Sequence, residues 1–501
     1  MALHDPNPQV SDYLAGTHQL FIDGAWQDAS SGETFEVHDP ATGRCIARVA
    51  EGRAADIDRA VAAARRAFDE RRWHGLPPER RADILWKLAE LFEREARTLA
   101  EIDVADNGMP IAFAEWMVGS TIAQLKYYAG MITKVTGRNV SPSIASDAVP
   151  MHAYTSVEPV GVAGIIIPWN GPIGTLIIKL APALAAGCCV VVKPAELTPL
   201  SALYAANLMN EAGVPPGVVN IVPGFGKDAG QSLVDHADVD KISFTGSTET
   251  GKAIVRSAAA NLKRVTLELG GKSPVIVFDD ADPDIAIPGA AMGIFANTGQ
   301  VCFAGSRLFV QKKSYDKVVA GISDFAKSLT IGKGMDPASQ IGPLISAGQR
   351  DKVASYLETG VREGAEIVTG GSTHGDHGFF VQPTVFANVD ASMRIVKEEI
   401  FGPVLVATPV DDMDDLVRMA NDTRYGLGAG IYTTSVNKAH LVAQKLRAGN
   451  VWINGYGVMH AAMPFGGFRE SGWGRENGLE GISAFQETKS VFITLNENDR
   501  A

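Results

Sequence analysis

Residues 160–196, VGVAGIIIPWNGPIGTLIIKLAPALAAGCCVVVKPAE, contain the pattern that decides the fold. Apolar runs over 160–167 and 190–193 predict two buried strands, and the pattern over 176–186 between them is typical of a helix. Strands that alternate with helices predict a parallel sheet with helices on both faces. We therefore assign the chain to the α/β class, with a doubly wound parallel sheet.

The same alternation extends along the chain in both directions. Further strands are predicted over 218–222 and 241–245, and helices over 199–212, 227–234 and 250–260. A second strand–helix series starts at 274–278 and runs to about Gly467, so we place a boundary near Gly270-Gly271. The first third is predicted to be mainly helical, because 56–68 and 79–105 repeat apolar residues every three or four positions.

Two strand-like segments stand apart from both series. A polar stretch rich in Ser and Pro, 137–150, leads into an alternating segment over 151–157, and the tail has an apolar segment over 490–495. Exposed strands of this kind pair with each other and with another subunit. A homodimer or homotetramer is therefore expected, and the alternative is a tail that packs within its own chain.

Overall composition excludes several classes of protein. The net charge of the 501 residues is −12 and there is no dense basic block, which argues against nucleic-acid or anionic-membrane partners. The start of the chain lacks the pattern of a secretory signal, and the apolar stretches are far shorter than the ~20 residues that span a bilayer. Four irregularly spaced cysteines indicate a reducing compartment, with the cytoplasm as the default location.

Polar groups follow three consecutive predicted strands of the first series. Lys193 and Glu196 stand at the end of the strand over 190–193. A G-x-G-x-x-x-G stretch over 224–230 follows the strand over 218–222, and Gly246-Ser247 follows the strand over 241–245. Ligands bind at the carboxyl ends of parallel strands, and a helix N-terminus suits a pyrophosphate. Each element also occurs without any ligand. Three together favour a nucleotide site.

Cys302 lies in NTGQVCFAGSR, residues 297–307, where small and polar residues indicate a turn. A thiolate attacks an aldehyde carbon directly, and a turn exposes backbone N–H groups to an oxyanion. Cys188 and Cys189 lie in an apolar strand and are interpreted as buried hydrophobic residues.

Two more polar residues follow predicted strands. Glu268 stands between two leucines, and apolar neighbours that raise its pKa would make it a general base near neutral pH. Asn170 has a side-chain amide that can donate to a substrate oxygen; the alternative is a turn asparagine that satisfies local backbone groups.

These residues belong to motifs that together resemble the aldehyde dehydrogenase superfamily. The resemblance runs from about Leu20 to Leu495, with the motifs in the expected order. The motifs are Ile167-Pro168-Trp169-Asn170, Lys193-Pro194-Ala195-Glu196, Phe244-Thr245-Gly246-Ser247, Leu267-Glu268-Leu269-Gly270-Gly271-Lys272-Ser273-Pro274, Gly299-Gln300-Val301-Cys302, Glu398-Glu399-Ile400-Phe401-Gly402-Pro403 and Pro464-Phe465-Gly466-Gly467-Phe468.

The resemblance implies a mechanism. Cys302 attacks the aldehyde to give a thiohemiacetal, whose oxyanion is held by Asn170 and the Cys302 N–H. Hydride then passes to a nicotinamide and leaves a thioester. Glu268 activates the water that hydrolyses this thioester. NAD is expected in preference to NADP, because the Glu196 carboxylate suits free ribose hydroxyls. The implied cofactor-binding residues are Ile167, Trp169, Lys193, Glu196, Gly226, Gly230, Phe244, Gly246, Ser247, Leu269, Glu399 and Phe401.

The resemblance also implies a division into domains. Residues 1–140 and 160–270 are expected to form the NAD-binding domain, 271–470 the catalytic domain, and 141–159 and 485–501 the strands that join subunits.

Two departures from the family pattern concern the substrate tunnel, which is expected to include Gly171, Ile178, Val301, Phe303, Met459 and Phe465. Many relatives have an aromatic residue where Gly171 stands and tryptophan where Ile178 stands. A wider tunnel favours bulky aldehydes that are aromatic, cyclic or branched, unless Met459 and Phe465 refill the space.

Rival interpretations remain at this stage. A coenzyme A-acylating semialdehyde dehydrogenase tends to lack the glutamate present here as Glu268. A catalytically silent structural or binding protein would not need Cys302, Glu268 and Asn170 together. His374 and His377 suggest a metal, but a glycine-rich surface loop is the preferred interpretation, and no metal is expected.

Overall fold

The computed structural model describes residues 6–143, 145 and 150–495. Parts of the segments 137–150 and 485–501, as well as the first five residues, lie outside this description. The strands are β1 (Thr17–His18), β2 (Leu20–Ile22), β3 (Ala25–Gln27), β4 (Thr34–His38), β5 (Cys45–Ala50), β6 (Asn139–Val140), β7 (Met151–Pro159), β8 (Val162–Ile166), β9 (Cys189–Lys193), β10 (Val219–Ile221), β11 (Lys241–Thr245), β12 (Arg264–Glu268), β13 (Pro274–Val277), β14 (Arg307–Gln311), β15 (Glu366–Thr369), β16 (Thr384–Ala387), β17 (Val404–Val410), β18 (Gly428–Tyr432), β19 (Asn450–Ile453), β20 (Gly472–Trp473) and β21 (Gln486–Thr494).

Helices connect most of these strands. The α-helices are α1 (Pro8–Leu14), α2 (Ala54–Asp69), α3 (Pro78–Arg94), α4 (Ala96–Asn107), α5 (Ile111–Met131), α6 (Pro172–Ala186), α7 (Leu200–Ala212), α8 (Gln231–Asp235), α9 (Thr248–Ala258), α10 (Pro283–Phe295), α11 (Lys312–Ser328), α12 (Ala347–Arg362), α13 (Arg394–Lys397), α14 (Met413–Asn421), α15 (Val436–Lys445) and α16 (Gly478–Ser483). Among the described residues, no helix has both the length and the apolar character needed to cross a membrane.

The first large sheet has the strand order β20-β12-β11-β8-β9-β10-β2-β3. The strands β12, β11, β8, β9 and β10 are parallel, and the strands at both edges are antiparallel. Val190, Val191 and Val192 of β9 have no exposed surface, as expected for a strand covered on both faces. The predicted α/β fold with a doubly wound parallel sheet is confirmed.

The second large sheet has the order β15-β16-β17-β14-β13-β18-β19, and all its neighbouring strands are parallel except β15 and β16. The chain changes sheets between β12 and β13. Gly271 lies in this crossing, where a Cβ atom would come within 2.5 Å of the Cys302 carbonyl oxygen. This close approach places the ends of the two sheets, and the residues between them, next to Cys302.

The third sheet, β21-β7-β6, contains the two segments that stood apart in the sequence. β21 runs antiparallel to β7 from Gln486↔Pro159 to Thr494↔Met151. β21 is an edge strand that exposes Phe492 and Ile493, and Leu495, which directly follows it, is exposed as well.

The structure contains the helices predicted in the first third of the chain and adds strands that were not predicted. Five short strands, β1 to β5, lie between α1 and α2, and β1, β2 and β3 have only two or three residues, too few to show an alternation in the sequence. Helix α5 was not predicted, because its apolar residues are spread around the helix without a clear stripe. The helix predicted over 227–234 is a π-helical turn, Gly226–Gly230, followed by α8.

Candidate active site

Cys302 follows a strained turn between α10 and β14. The backbone of Asn297, Thr298 and Gly299 is left-handed, with φ of 47°, 56° and 71°. A Cβ on residue 299 would lie 2.1 Å from the Gly402 carbonyl oxygen, so only glycine fits there. The turn therefore packs against the backbone that follows Phe401. The backbone of Phe401 is also left-handed, with φ of 59°.

Glu268 ends β12, opposite Thr245 of β11. Its side chain is buried, and Oε2 makes no hydrogen bond to any of the described residues. Burial and the neighbouring Glu476 raise the pKa of Glu268 well above its usual range, while Lys179 and Arg475 act in the opposite direction. A carboxyl group in this setting suits proton transfer near neutral pH.

The Cys302 thiol is also held in its neutral form. Burial, followed by the charges of Glu268, Glu399 and Glu476, raises its pKa. A neutral thiol is a weak nucleophile, so attack on a carbonyl carbon requires a base to remove the proton. Glu268 lines the same cavity as the thiol.

Asn170 lies between β8 and α6 and contacts the Cys302 turn. Its Nδ2 donates to the Gln300 carbonyl oxygen at 2.9 Å, and its own carbonyl oxygen accepts from Asn297 Nδ2 at 3.0 Å. A side-chain amide has two N–H donors. One therefore remains for a ligand in the adjacent cavity.

An apolar cavity of about 120 Å³ contains Cys302, Glu268 and Asn170 in its wall. All the predicted tunnel residues line it: Gly171, Ile178, Val301, Phe303, Met459 and Phe465. Helix α5 forms a wall that sequence reasoning missed. Its contributions are Phe113, Trp116, Met117, Ser120, Thr121 and Gln124. A helix without a predicted stripe gave no signal that one of its faces would line the cavity.

The space beside Gly171 is occupied by a residue that the sequence did not point to. A Cβ on Gly171 would lie 2.8 Å from Met117 Cε, and one on Gly174 would lie 2.3 Å from the same atom. Met117, and not Met459 or Phe465, therefore takes the place of the missing side chain. Methionine is unbranched and flexible, so it fills this gap without fixing its shape.

A second cavity, of about 230 Å³, also has Cys302 in its wall. Its wall includes five of the predicted cofactor residues, Trp169, Gly246, Ser247, Glu399 and Phe401. Gln349 and Lys352, which were not in the predicted set, also line it. The rings of Trp169 and Phe401 meet edge to face at 5.2 Å.

Glu399 is fixed at the rim of this second cavity. Its Oε1 accepts from the Gly271 N–H at 3.0 Å. Burial raises the pKa of Glu399 to about 7, against the opposing effects of that N–H, Lys352 and Lys272. The carboxylate can accept hydrogen bonds from the hydroxyls of a ribose.

Other predicted cofactor residues lie outside this cavity. Lys193 Nζ at the end of β9 donates to the Gly224 carbonyl oxygen at 2.8 Å and pairs with Glu196 at 3.3 Å. Gly226 and Gly230 bound the π-helical turn after β10. Ser247, by contrast, does line the second cavity, and its Oγ caps α9 by accepting from the Thr250 N–H at 3.2 Å.

Three apolar residues of the predicted cofactor set have buried side chains. These residues are Ile167, Phe244 and Leu269. The ring of Phe244 lies against Gly246, where a Cβ would be 2.5 Å from its Cζ. Each of the three directly precedes a residue that lines the second cavity.

A buried ion pair behind Glu268 was also missed. Lys179 Nζ donates to Glu476 and, at 3.2 Å, to Ser243 Oγ. Glu476 also lines the apolar cavity. Within residues 6–143, 145 and 150–495 no group of three or more His, Cys, Asp or Glu residues is placed to hold a metal ion.

The two cavities share Cys302, Asn170 and Thr245, so a thiol stands between an apolar chamber and a chamber with aromatic and carboxylate walls. The family model described as "Aldehyde dehydrogenase family" matches residues 26–491. The chain belongs to the aldehyde dehydrogenase family. Its predicted membership is thereby confirmed.

Individual aldehyde dehydrogenases match along nearly their whole length. Aldehyde dehydrogenase 1A1 of Gallus gallus is 48% identical, over 98% of this chain and 96% of the relative. Aldehyde dehydrogenase 1 of Tanacetum cinerariifolium is 47% identical, over 94% of each. The solved NAD⁺ complex of an aldehyde dehydrogenase from Bacillus cereus superposes with a TM-score of 0.96 at 46% identity, over 98% of this chain and 99% of that one.

Proposed function

We propose that this chain, an NAD-dependent aldehyde dehydrogenase, oxidises its substrate to a carboxylic acid through a covalent adduct on Cys302. One observation carries the proposal: the Cys302 thiol borders both the apolar cavity and the second cavity. An aldehyde carbon bonded to Sγ lies where the two cavities meet. The test is an assay of the purified enzyme with a chemically diverse panel of aldehydes and NAD. The proposal would be contradicted if none of the aldehydes led to NADH formation.

The residues of the second cavity fit a nicotinamide dinucleotide. Thr245 Oγ1 is buried there without a hydrogen-bond partner among the described residues, and Glu399 offers a carboxylate. Glu399 would hold the nicotinamide ribose with Phe401 beside it, Ser247 the pyrophosphate, and Lys193 with Glu196 the adenosine ribose. The similar Bacillus cereus structure, an NAD⁺ complex, supports this assignment. NAD, when bound, accepts the hydride that leaves the adduct carbon.

The first step uses Cys302 and Asn170. Sγ forms a bond to the aldehyde carbon while the thiol proton passes to solvent water. The carbonyl oxygen gains negative charge, and the free N–H of Asn170 Nδ2 together with the Cys302 N–H would stabilise it. Preorganised donors of this kind lower the barrier because they need no rearrangement during the reaction.

Glu268 acts once the thioester has formed on Sγ. Its Oε2 is free of hydrogen bonds to the described residues and can take a proton from water. The resulting hydroxide attacks the thioester carbon, the C–S bond breaks, and the acid leaves. The raised pKa of Glu268 makes its conjugate acid a suitable donor of the proton that restores the thiol.

NAD is expected to be used in preference to NADP. Glu196 lies beside Lys193 at the end of β9, where its carboxylate would repel a 2′-phosphate. We expect kcat/KM for NAD to exceed that for NADP by about 10-fold or more, since close like charges cost on the order of a few kcal/mol. Glu196→Gln should narrow this ratio, whereas Glu211→Gln, at an exposed glutamate of α7, should leave it unchanged. A parent enzyme with equal specificity constants would refute the role of Glu196.

The substrate is proposed to be a bulky aldehyde, because the cavity wall beside Gly171 is a flexible methionine. Gly171→Phe would push Met117 aside and narrow the cavity. We expect the ratio of kcat/KM for benzaldehyde to that for acetaldehyde to fall by about 10-fold, in line with the effect of pocket size on selectivity. Gly119→Phe serves as a control, because Gly119 on α5 faces open space. An unchanged ratio in Gly171→Phe would show that position 171 does not select for size.

The division into domains is proposed as follows. Residues 1–140 and 160–270 form the NAD-binding domain and 271–470 the catalytic domain; the change of sheets between β12 and β13 supports this boundary. Residues 141–159 and 485–501 join subunits into a homodimer or homotetramer. The exposed apolar residues on the free edge of β21 support this role.

A cytoplasmic location is proposed because all four cysteines, Cys45, Cys188, Cys189 and Cys302, are free thiols.

A further inference from the structure

The turn before Cys302 and residue Asn170 are joined by a closed ring of hydrogen bonds. Asn297 Nδ2 donates to the Asn170 carbonyl oxygen at 3.0 Å. Asn170 Nδ2 donates to the Gln300 carbonyl oxygen at 2.9 Å. The Gln300 N–H donates to the Asn297 carbonyl oxygen at 3.0 Å and closes the ring. Two loops that meet only through folding are thereby held in one arrangement.

The far side of the turn is held to the segment 342–345. Thr298 Oγ1 donates to the Gly342 carbonyl oxygen at 2.9 Å, and Gln300 Oε1 accepts from the Ile345 N–H at 2.9 Å. These contacts keep Asn297 and Thr298 left-handed, a conformation that residues other than glycine rarely adopt and that asparagine tolerates better than most. Strained backbone that is fixed from two sides is a common feature of active sites.

The Asn297 side chain is buried in the wall of the apolar cavity. Its Oδ1 has no hydrogen-bond partner among the described residues, so the Nδ2 contact to Asn170 is the polar contact that orients this amide. A buried amide that leaves one atom unsatisfied is costly, which argues that the contact to Asn170 serves more than loop stability.

We propose that Asn297 is a positioning residue that holds the Asn170 amide at the correct place relative to Cys302. This inference rests on the proposed role of Asn170 in stabilising the oxyanion. Asn297 itself acts through Asn170. The reason for its effect is geometric, because donors must meet the charge where it develops and a shift of about 1 Å can cost on the order of 100-fold in rate.

The test is a double-mutant cycle on the full-length enzyme with NAD, in which the single-turnover rate of NADH formation is measured. Asn297→Asp keeps the size and the tolerance for a left-handed backbone but removes the N–H donor. We expect it to lower the rate by about 10- to 100-fold, and Asn170→Ala by about 100- to 1000-fold, which is typical for loss of an oxyanion donor. In the Asn170→Ala background, Asn297→Asp should cause little further loss.

Two controls separate positioning from damage to the turn. The rate of Cys302 alkylation by iodoacetamide and the dissociation constant for NAD should stay near the parental values in Asn297→Asp. Asn454→Asp alters another left-handed asparagine whose amide joins two loops, through Thr433, and it should keep the parental rate of NADH formation.

The outcomes distinguish this inference from the proposed function. An equal loss from Asn297→Asp in both backgrounds, or no loss in the parent, would overturn the positioning role while the oxyanion assignment stands. A large fall in Cys302 alkylation would also overturn it, because the turn itself would then have changed. A parental rate in Asn170→Ala would instead overturn the oxyanion assignment and this inference with it.

Discussion

Replacing Cys302 by alanine is expected to lower aldehyde-dependent NADH formation by about 10⁴-fold or more, because the covalent route loses its nucleophile. Binding of NAD should be nearly unchanged, since the thiol only borders the second cavity and is not among the proposed ligands of the cofactor. Steady-state absorbance at the NADH band measures the first effect, and calorimetric titration with NAD measures the second.

The matched control is Cys45→Ala. Cys45 is exposed on β5, far from the proposed chemistry, and its removal should leave the turnover rate at the parental value. Substantial turnover in Cys302→Ala would show that the aldehyde reacts without this thiol. A simultaneous loss of NAD binding would show that the substitution had disturbed the fold.

Glu268→Gln is expected to slow steady-state turnover by about 100- to 10,000-fold, the range typical for loss of a general base. Glutamine keeps the shape of the side chain but cannot take a proton from water, so the thioester should accumulate. Rapid-mixing measurements should then show a burst of close to one NADH per active site, followed by a slow phase.

Glu93→Gln is the control for this second experiment. Glu93 is an exposed glutamate of α3 that pairs with Lys126. The Glu93→Gln variant should show the kinetics of the parent enzyme, without the NADH burst expected for Glu268→Gln. Parental steady-state turnover in Glu268→Gln would show that another group activates the water, and Glu476, which lies behind Glu268 with Lys179, would be the next candidate.

The fold was predictable wherever a local pattern decides it. The strand at 190–193 is apolar on both faces because β9 is covered on both sides, and the glycines at 270–271 mark the crossing between the sheets. Residues with strong chemistry beside such elements were also predictable. Cys302, Glu268 and Asn170 follow a turn or a strand end, and the family resemblance assigned each a role.

The missed parts of the site depend on contacts between distant segments. Met117 lies beside Gly171 only because α5 packs across the start of α6, and nothing in residues 111–131 points to that neighbour. Lys179 and Glu476 are almost 300 positions apart and form their pair only in the folded chain. The sequence places Asn297 in the Cys302 turn, but its contact to Asn170 also depends on tertiary structure.

The most direct test of the covalent mechanism is intact-protein mass spectrometry of Glu268→Gln after rapid mixing with NAD and benzaldehyde. We expect a mass increase that equals one benzoyl group, located on Cys302 by peptide mapping and absent from the Glu268→Gln, Cys302→Ala double variant. NADH formation without an acyl adduct, or with the adduct on another residue, would contradict the mechanism.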